Sequence, residues 1–381
     1  MGVKYEEKNI LPEGTRDLIL DECIVKRAIE RDIDDIFYKW GYKEIITPTV
    51  EFYETFNHDS QTLKEEDMYK FFDNRGRILV LRPDMTIPIA RVVETKFKDE
   101  SLPIKLRYNS NVFRVHASLG GKRNEYTDCG VELIGLEDKK SDLEVLVLAL
   151  EALEKLGLSD FKLEIGNIGF FEGVFKTLNI SKESKEIIAQ YIEDKNLKNL
   201  EDYLDEIDIK DEYKEFFNKL PWLFGDRSIL EEAKVLAFNE ELKANLEYLE
   251  NLYSELDILG YGNKVTFDLG MVPRLNYYTG IIFRGYGEGV GNTVLRGGRY
   301  DNLITIGEEY IPAIGFSLDI NSVIENVKTS EKINTIDKSC KIYYSSKYRI
   351  EAIRKSEQLR QEGKIVELIP DDSVNEIKVL L

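Results

Sequence analysis

The chain is short of cysteine, histidine, basic charge and long apolar runs, and each shortage removes a class of function. Its three cysteines, Cys23, Cys129 and Cys340, stand far apart with no C-x-x-C pair, and its two histidines are His58 and His116. A disulfide framework or a Cys/His metal site is therefore not expected. His58 sits in a charged loop and His116 beside a glycine turn, so no histidine-based catalytic constellation is visible. Basic residues number 52 against 71 acidic ones, a net charge of −19. Such a polyanion repels a phosphate backbone unless its basic groups gather in one groove, which disfavours nucleic acid as a partner. A small cationic or zwitterionic ligand, or another protein, suits it better. No apolar stretch approaches the roughly eighteen residues of a membrane helix, and MGVKYEEKNILPEGTRD has no apolar signal core. A cytoplasmic protein without membrane contact is the expectation.

What is present is enough for a large core: 381 residues, 43% hydrophobic, or two to three domains at roughly 100–200 residues each. Ile29, Ile33, Ile36, Phe37 and Trp40 recur at helical spacing after Asp21, with Gly41 as a stop. The β-branched and aromatic run YKEIITPTVEFYETF surrounds Pro48, which cannot donate to a ladder and favours a sheet edge or subunit boundary. Strands are expected at 78–86, 102–115 and 126–135, with a helix TIPIARVVETKF after the first. A capping box, Ser141 with Glu144, should open another helix. From 166 to 260 lysine- and glutamate-rich helical segments suggest an insertion. Strand character returns at 264–287, LRGGRYDNL reads as a turn, and residues 328–339 read as a polar linker. The expected organisation is a core in two parts, 1–165 and 261–327, the insertion 166–260, and a β-α-β unit at 340–381 too small to stand alone. Together these give an α+β class.

Chemistry concentrates in Tyr126-Thr127-Asp128-Cys129-Gly130-Val131-Glu132. Alternate side chains of a strand share a face, so Asp128, Gly130 and Glu132 look away from Cys129 and Val131. The two acids stand roughly 13 Å apart at about 3.3 Å per residue, and Gly130 leaves a hollow between them where a ligand or another backbone can approach. From this strand alone an ordinary wet sheet face with a bulge is the commoner explanation. Asp84, before Thr86, is either a helix cap or a carboxylate for an ammonium group. Arg114, in an apolar strand, either pairs with one of these acids or clamps an anion. Tyr277 and Tyr278 are strand packing or a pocket wall. The Gly-Gly of Arg296-Gly297-Gly298-Arg299 is a hairpin or, less specifically, an anion cradle.

The segments LPEGTRD, LRPDMT, NVFRVHASLGGKRNEYTDCGVELIG, RLNYYTGIIF, RGGRYDNL and PAIGFSLD resemble the histidyl-tRNA synthetase family in order and spacing, over about residues 9–325. The resemblance implies a class II aminoacyl-tRNA synthetase-like antiparallel sheet flanked by helices, dimeric through the segment around Pro48. It also implies a histidine site: Asp84 stands where the family has a glutamate for the α-ammonium, Thr86 and Arg114 match its threonine and motif-2 arginine, and Glu132 matches the acid that reads imidazole. Tyr277 and Tyr278 match its tyrosine pair, and Asp128 replaces a glutamine. The activating groups are lost. The catalytic arginine falls on Pro273, with Arg274 displaced by one residue, the adenine-reading acid falls on His116, and the motif-3 arginine on Ser322. The C-terminal unit is also shorter than the family's anticodon-binding domain. A chain of this family that keeps the amino-acid pocket without the adenylation groups resembles the regulatory subunits of ATP phosphoribosyltransferase. That resemblance implies a non-catalytic subunit of histidine biosynthesis with no cofactor or metal. Histidine would be its effector, and a homodimer within a hetero-octamer would carry the short-form catalytic subunit. The alternatives are an active histidyl-tRNA synthetase with divergent motifs, and an amino-acid-binding scaffold for some other partner.

Overall fold

The computed structural model describes residues 11–57, 63–116, 123–137, 140–158, 160–272, 277–287, 293–326 and 340–380. His58, the expected linker 328–339 and the segment 273–276, with Pro273 and Arg274, lie outside the described residues. The chain forms two compact units, one of residues 1–18 and 26–327, the other of 19–25 and 328–381.

A nine-stranded sheet organises the larger unit. Across it run Lys43–Glu44, Ile104–Phe113, Glu125–Ile134, Glu309–Asp319, Leu295–Ile306, Ile281–Tyr286, Lys162–Asn167, Val265–Asp268 and Phe224–Gly225. The six strands from Ile104–Phe113 to Lys162–Asn167 pair antiparallel throughout. Parallel pairs occur only near the two edges. This is the mixed architecture the sequence implies, an antiparallel sheet flanked by helices.

The alternation along these strands separates two faces. On the back face Phe316 meets Phe37 of the helix Asp21–Lys39, ring centres 5.7 Å apart, and Arg299 reaches Asp142 of the helix Lys140–Lys155. On the front face the helix Thr86–Lys96 lays Ile89, Ala90 and Val93 against Leu106, Val112, Ile134 and Ala313. A small sheet, Val50–Phe52, Ile78–Leu81 and Lys70–Phe72, leads into that helix. Its exit is held by buried Arg82, which donates to the carbonyls of Thr47 at 2.8 Å and Asn111 at 2.9 Å.

Three local expectations change. LRGGRYDNL is no turn but the middle of the strand Leu295–Ile306, whose pairing with Glu309–Asp319 is regular up to Tyr300 and resumes after a bulge at Ile304. Gly297 and Gly298 are there for close approach: a Cβ on the first would stand 2.5 Å from the Gly315 carbonyl oxygen, and on the second 2.6 Å from the Tyr278 ring. Ser141 and Glu144 form no capping box, because Ser141 Oγ accepts from Arg299 and Glu144 accepts from Lys105 and Tyr42. The segment between Lys162–Asn167 and Val265–Asp268 is mainly helical, with Ser181 and Asn239 capping two of its helices, but Phe224–Gly225 returns from it to the sheet edge. In the smaller unit the helix Arg349–Gln361 packs Ala352 and Leu359 on Cys340 and Ile342 of a three-stranded sheet.

Candidate ligand-binding site

The front face of the sheet is not filled by the helix Thr86–Lys96. A cavity of about 250 Å³ remains, walled by Asp84, Thr86, Arg114, Asp128, Glu132, Tyr277 and Tyr278 together with Tyr108, Tyr126, Arg296, Tyr300, Gly315 and Ser317. All seven residues singled out in the sequence thus meet in one hollow of the larger unit.

Glu132 lies at its floor, 2% exposed. Its carboxylate accepts from Thr86 Oγ1 at 2.9 Å and from Tyr300 OH at 2.5 Å. Room for it comes from the cross-strand partner Gly315, where any Cβ would overlap Oε2. Burial pushes the Glu132 carboxyl up to about 7, although the Tyr300 and Thr86 hydroxyls favour its charged form.

Asp128, four residues back on the same strand, is 7% exposed and accepts no hydrogen bond among the described residues. It too is pushed up to about 7, first by burial and then by Asp319 on the facing strand, against the pull of Arg114 and Arg296. Asp319 itself is committed to the start of the next helix, accepting from the Asn321 and Ser322 N–H groups and the Ser322 hydroxyl. The hollow expected over Gly130 is filled: the Tyr108 phenol occupies it, close enough that no side chain at 130 fits.

Asp84 takes the capping role and leaves the other open. One oxygen accepts from the Ile87 N–H at 3.1 Å, capping the helix, and the group still lines the cavity. Burial raises its affinity for a proton, opposed by Arg114. Arg114 donates through Nε to the Pro83 carbonyl at 2.8 Å and forms no ion pair with Asp84, Asp128 or Glu132. Of its two readings, the internal ion pair is not made among the described residues, and Arg114 stands as a cation near Asp84 and Asp128. The Tyr277 and Tyr278 rings lie tilted against each other with centres 4.7 Å apart, and Tyr277 meets Tyr300 edge-on at 5.8 Å. His116 and Ser322 also line the cavity.

Sequence reasoning missed Tyr300, Gly315 and Tyr108. Period-two alternation through Arg296, Gly298 and Tyr300 was the available signal for the first. Gly315 and Tyr108 depend on strand register, which no single segment reveals.

The arrangement is chemically zwitterionic: buried acids able to face ammonium or imidazolium groups, a cation for a carboxylate, and aromatic walls. The volume is small against the roughly 300–1,000 Å³ of drug-sized sites and suits one amino acid.

The family model for histidyl-tRNA synthetase matches residues 14–323. A Clostridium botulinum ATP phosphoribosyltransferase regulatory subunit is 42% identical over 361 residues, covering 94% of this chain and 85% of that protein. Its Bacillus cereus counterpart is 38% identical over 378 residues, 98% of this chain and 89% of the relative. A Bacillus halodurans crystal structure, described as an ATP phosphoribosyltransferase regulatory subunit/histidyl-tRNA synthetase, superposes with a TM-score of 0.85 at 32% identity, over 97% and 94% of the two chains.

Proposed function

This chain belongs to the family of ATP phosphoribosyltransferase regulatory subunits, built on the histidyl-tRNA synthetase fold, and on that premise we propose that it binds free histidine in the cavity and passes the cavity's occupancy to a short-form catalytic partner. One observation carries the reading: the buried carboxylates of Asp84, Asp128 and Glu132 converge with Arg114 and Arg296 on an amino-acid-sized hollow, and Asp128 accepts no hydrogen bond there among the described residues. An unpaired buried acid is costly unless a cation meets it or it takes a proton. Histidine supplies an ammonium and an imidazole for Asp84, Asp128 and Glu132, with Thr86 and Tyr278 beside them, and a carboxylate for Arg114.

Holding the amino acid is separate from activating it. Adenylation passes through an anionic phosphate transition state that needs fixed positive charge. By the resemblance, two positions for that charge hold Pro273 and Ser322, and the site of the adenine-reading acid holds His116. The chain then acts as an effector sensor in histidine biosynthesis. A ligand shifts an assembly only through unequal affinity for its states, and by linkage the inhibited complex binds histidine more tightly. A homodimer within a hetero-octamer is the assembly we propose.

Calorimetric titration with histidine, with and without the catalytic chain, tests the site. An Asp84→Ala/Glu132→Ala variant should lose binding, and undiminished affinity in it refutes the assignment. Histidine-dependent ATP–pyrophosphate exchange should be absent, since robust exchange would make the protein a working synthetase. Co-purification with a short phosphoribosyltransferase chain separates this reading from a scaffold for another partner.

A further inference from the structure

The helical insertion and the cavity are joined by a chain of hydrogen bonds, buried at Asp142 and Arg299, that touches no ligand position. Tyr248, on the helix Glu240–Ile258, donates its hydroxyl to Asp142 Oδ2 at 2.5 Å. Asp142 Oδ1 accepts from Arg299 through Nε at 2.9 Å and Nη2 at 2.5 Å. Nη1 of Arg299 reaches Asp301 Oδ1 at 3.1 Å, and Asp301 Oδ2 accepts from Thr279 Oγ1 at 2.7 Å. The Thr279 N–H donates to the Arg299 carbonyl at 2.8 Å, which closes the ring around Tyr300.

The chain therefore ends on the two tyrosines that shape the cavity. Thr279 follows Tyr278 directly, and Tyr300, between Arg299 and Asp301, holds the Glu132 carboxylate. Asp142 and Arg299 are 2% and 6% exposed, so water cannot replace a link broken between them, and charge-assisted bonds of this kind are the strong ones. A second tie runs beside the first. The Ile168 N–H, at the start of the insertion's first helix, donates to the Gly280 carbonyl at 3.0 Å, and a Cβ on Gly280 would stand 2.9 Å from Arg299 Cδ. Tyr248 keeps its proton as donor, because burial and the Asp142 charge both push its phenol far up.

We infer that Tyr248 is a positioning residue of the cavity: acting through Asp142 and Arg299 it fixes Tyr300 and Tyr278, and so links the helical insertion energetically to the occupancy of the site. The inference rests on histidine as the occupant. Because linkage is reciprocal, a ligand that needs those tyrosines in place also steadies the helix that holds them.

The test uses the full chain, titrated with histidine by calorimetry while amide exchange is followed in the helix Glu240–Ile258. In the unmodified protein histidine slows that exchange. Tyr248→Phe, which removes the hydroxyl alone, weakens histidine binding about three- to tenfold, the worth of one hydrogen bond, and abolishes the slowing. Thr279→Val cuts the far end and does the same, which decides the matter should Tyr248→Phe fail to fold. A purely structural Tyr248 would lower the melting temperature yet leave the ligand's effect on the helix intact, and that result overturns the inference. Histidine binding to the unmodified chain without any change in the helix overturns the linkage alone. No histidine binding at all overturns the functional reading with it.

Discussion

A carboxylate inside a protein rests in its neutral form or opposite a cation, and Asp128 faces that choice with the pull of Arg114 and Arg296 outweighed by burial. Its carboxyl, and that of Glu132, are raised to about 7 from ordinary values of 3.8 and 4.5. The folded chain therefore holds these protons between about pH 4 and 7, where the unfolded chain has lost them. Their contribution to stability is complete below the unfolded values and is lost as pH rises through 7. Asp128→Asn should accordingly leave the melting temperature nearly unchanged at pH 4 and raise it by a few degrees at pH 8, while weakening histidine binding. Equal shifts at both pH values would show that Asp128 is not a buried titrating acid. Glu132 offers a different test through its cross-strand neighbour. Gly315→Ala places a methyl where Oε2 lies, so it should abolish histidine binding in calorimetry and cost about 1–3 kcal/mol in denaturant unfolding. Asp128 and Glu132 were legible because period two puts them on one face. Gly315 was not, because its role exists only once the register pairs it with Glu132.

At the scale of elements the strand Leu295–Ile306 is the most informative. Two adjacent glycines suggest a turn to local reasoning, since their backbone freedom is the usual reason for such a pair. Here the reason is steric. Gly297 makes way for the neighbouring strand and the Phe283 ring, and Gly298 for the Tyr278 ring. The same strand presents Arg299 to the helix layer behind and Tyr300 to the cavity in front. Gly298→Ala should push Tyr278 from its seat and lower histidine affinity about tenfold or more, the scale of a core overpacking of 1–3 kcal/mol. Retained affinity would mean that Tyr278 is dispensable. The helices were easier to read than this strand. Ile29, Ile33 and Phe37 are all buried along the helix Asp21–Lys39 as their spacing requires, and Gly41 follows in a left-handed conformation. The capping box failed for a tertiary reason: Ser141 and Glu144 were drawn to Arg299, Lys105 and Tyr42 from distant segments.

For the molecule as a whole, the cavity belongs to the larger unit alone. At a hundred times its dissociation constant, histidine should stabilise the folded form by about 2.7 kcal/mol. Amide exchange should slow along the front face of the large sheet and remain unchanged in 340–380. Protection confined to 340–380 would place the ligand elsewhere. The overall class was legible because alternating strands and capped helices mark it locally. The order of nine strands was not, since Glu309–Asp319 and Ile281–Tyr286 take their places beside Glu125–Ile134 and Lys162–Asn167, far back in the chain. That sheet carries an irregularity among the described residues, the bulge between Tyr300 and Ile304. It acts as a slack joint. A residue gained or lost beyond it, around the open hairpin tip at Gly307, can be absorbed before the strand reaches Tyr300. The same change between Leu295 and Tyr300 would trade the arginine and the tyrosine across the sheet, so tolerance to length variation should switch off abruptly at that joint.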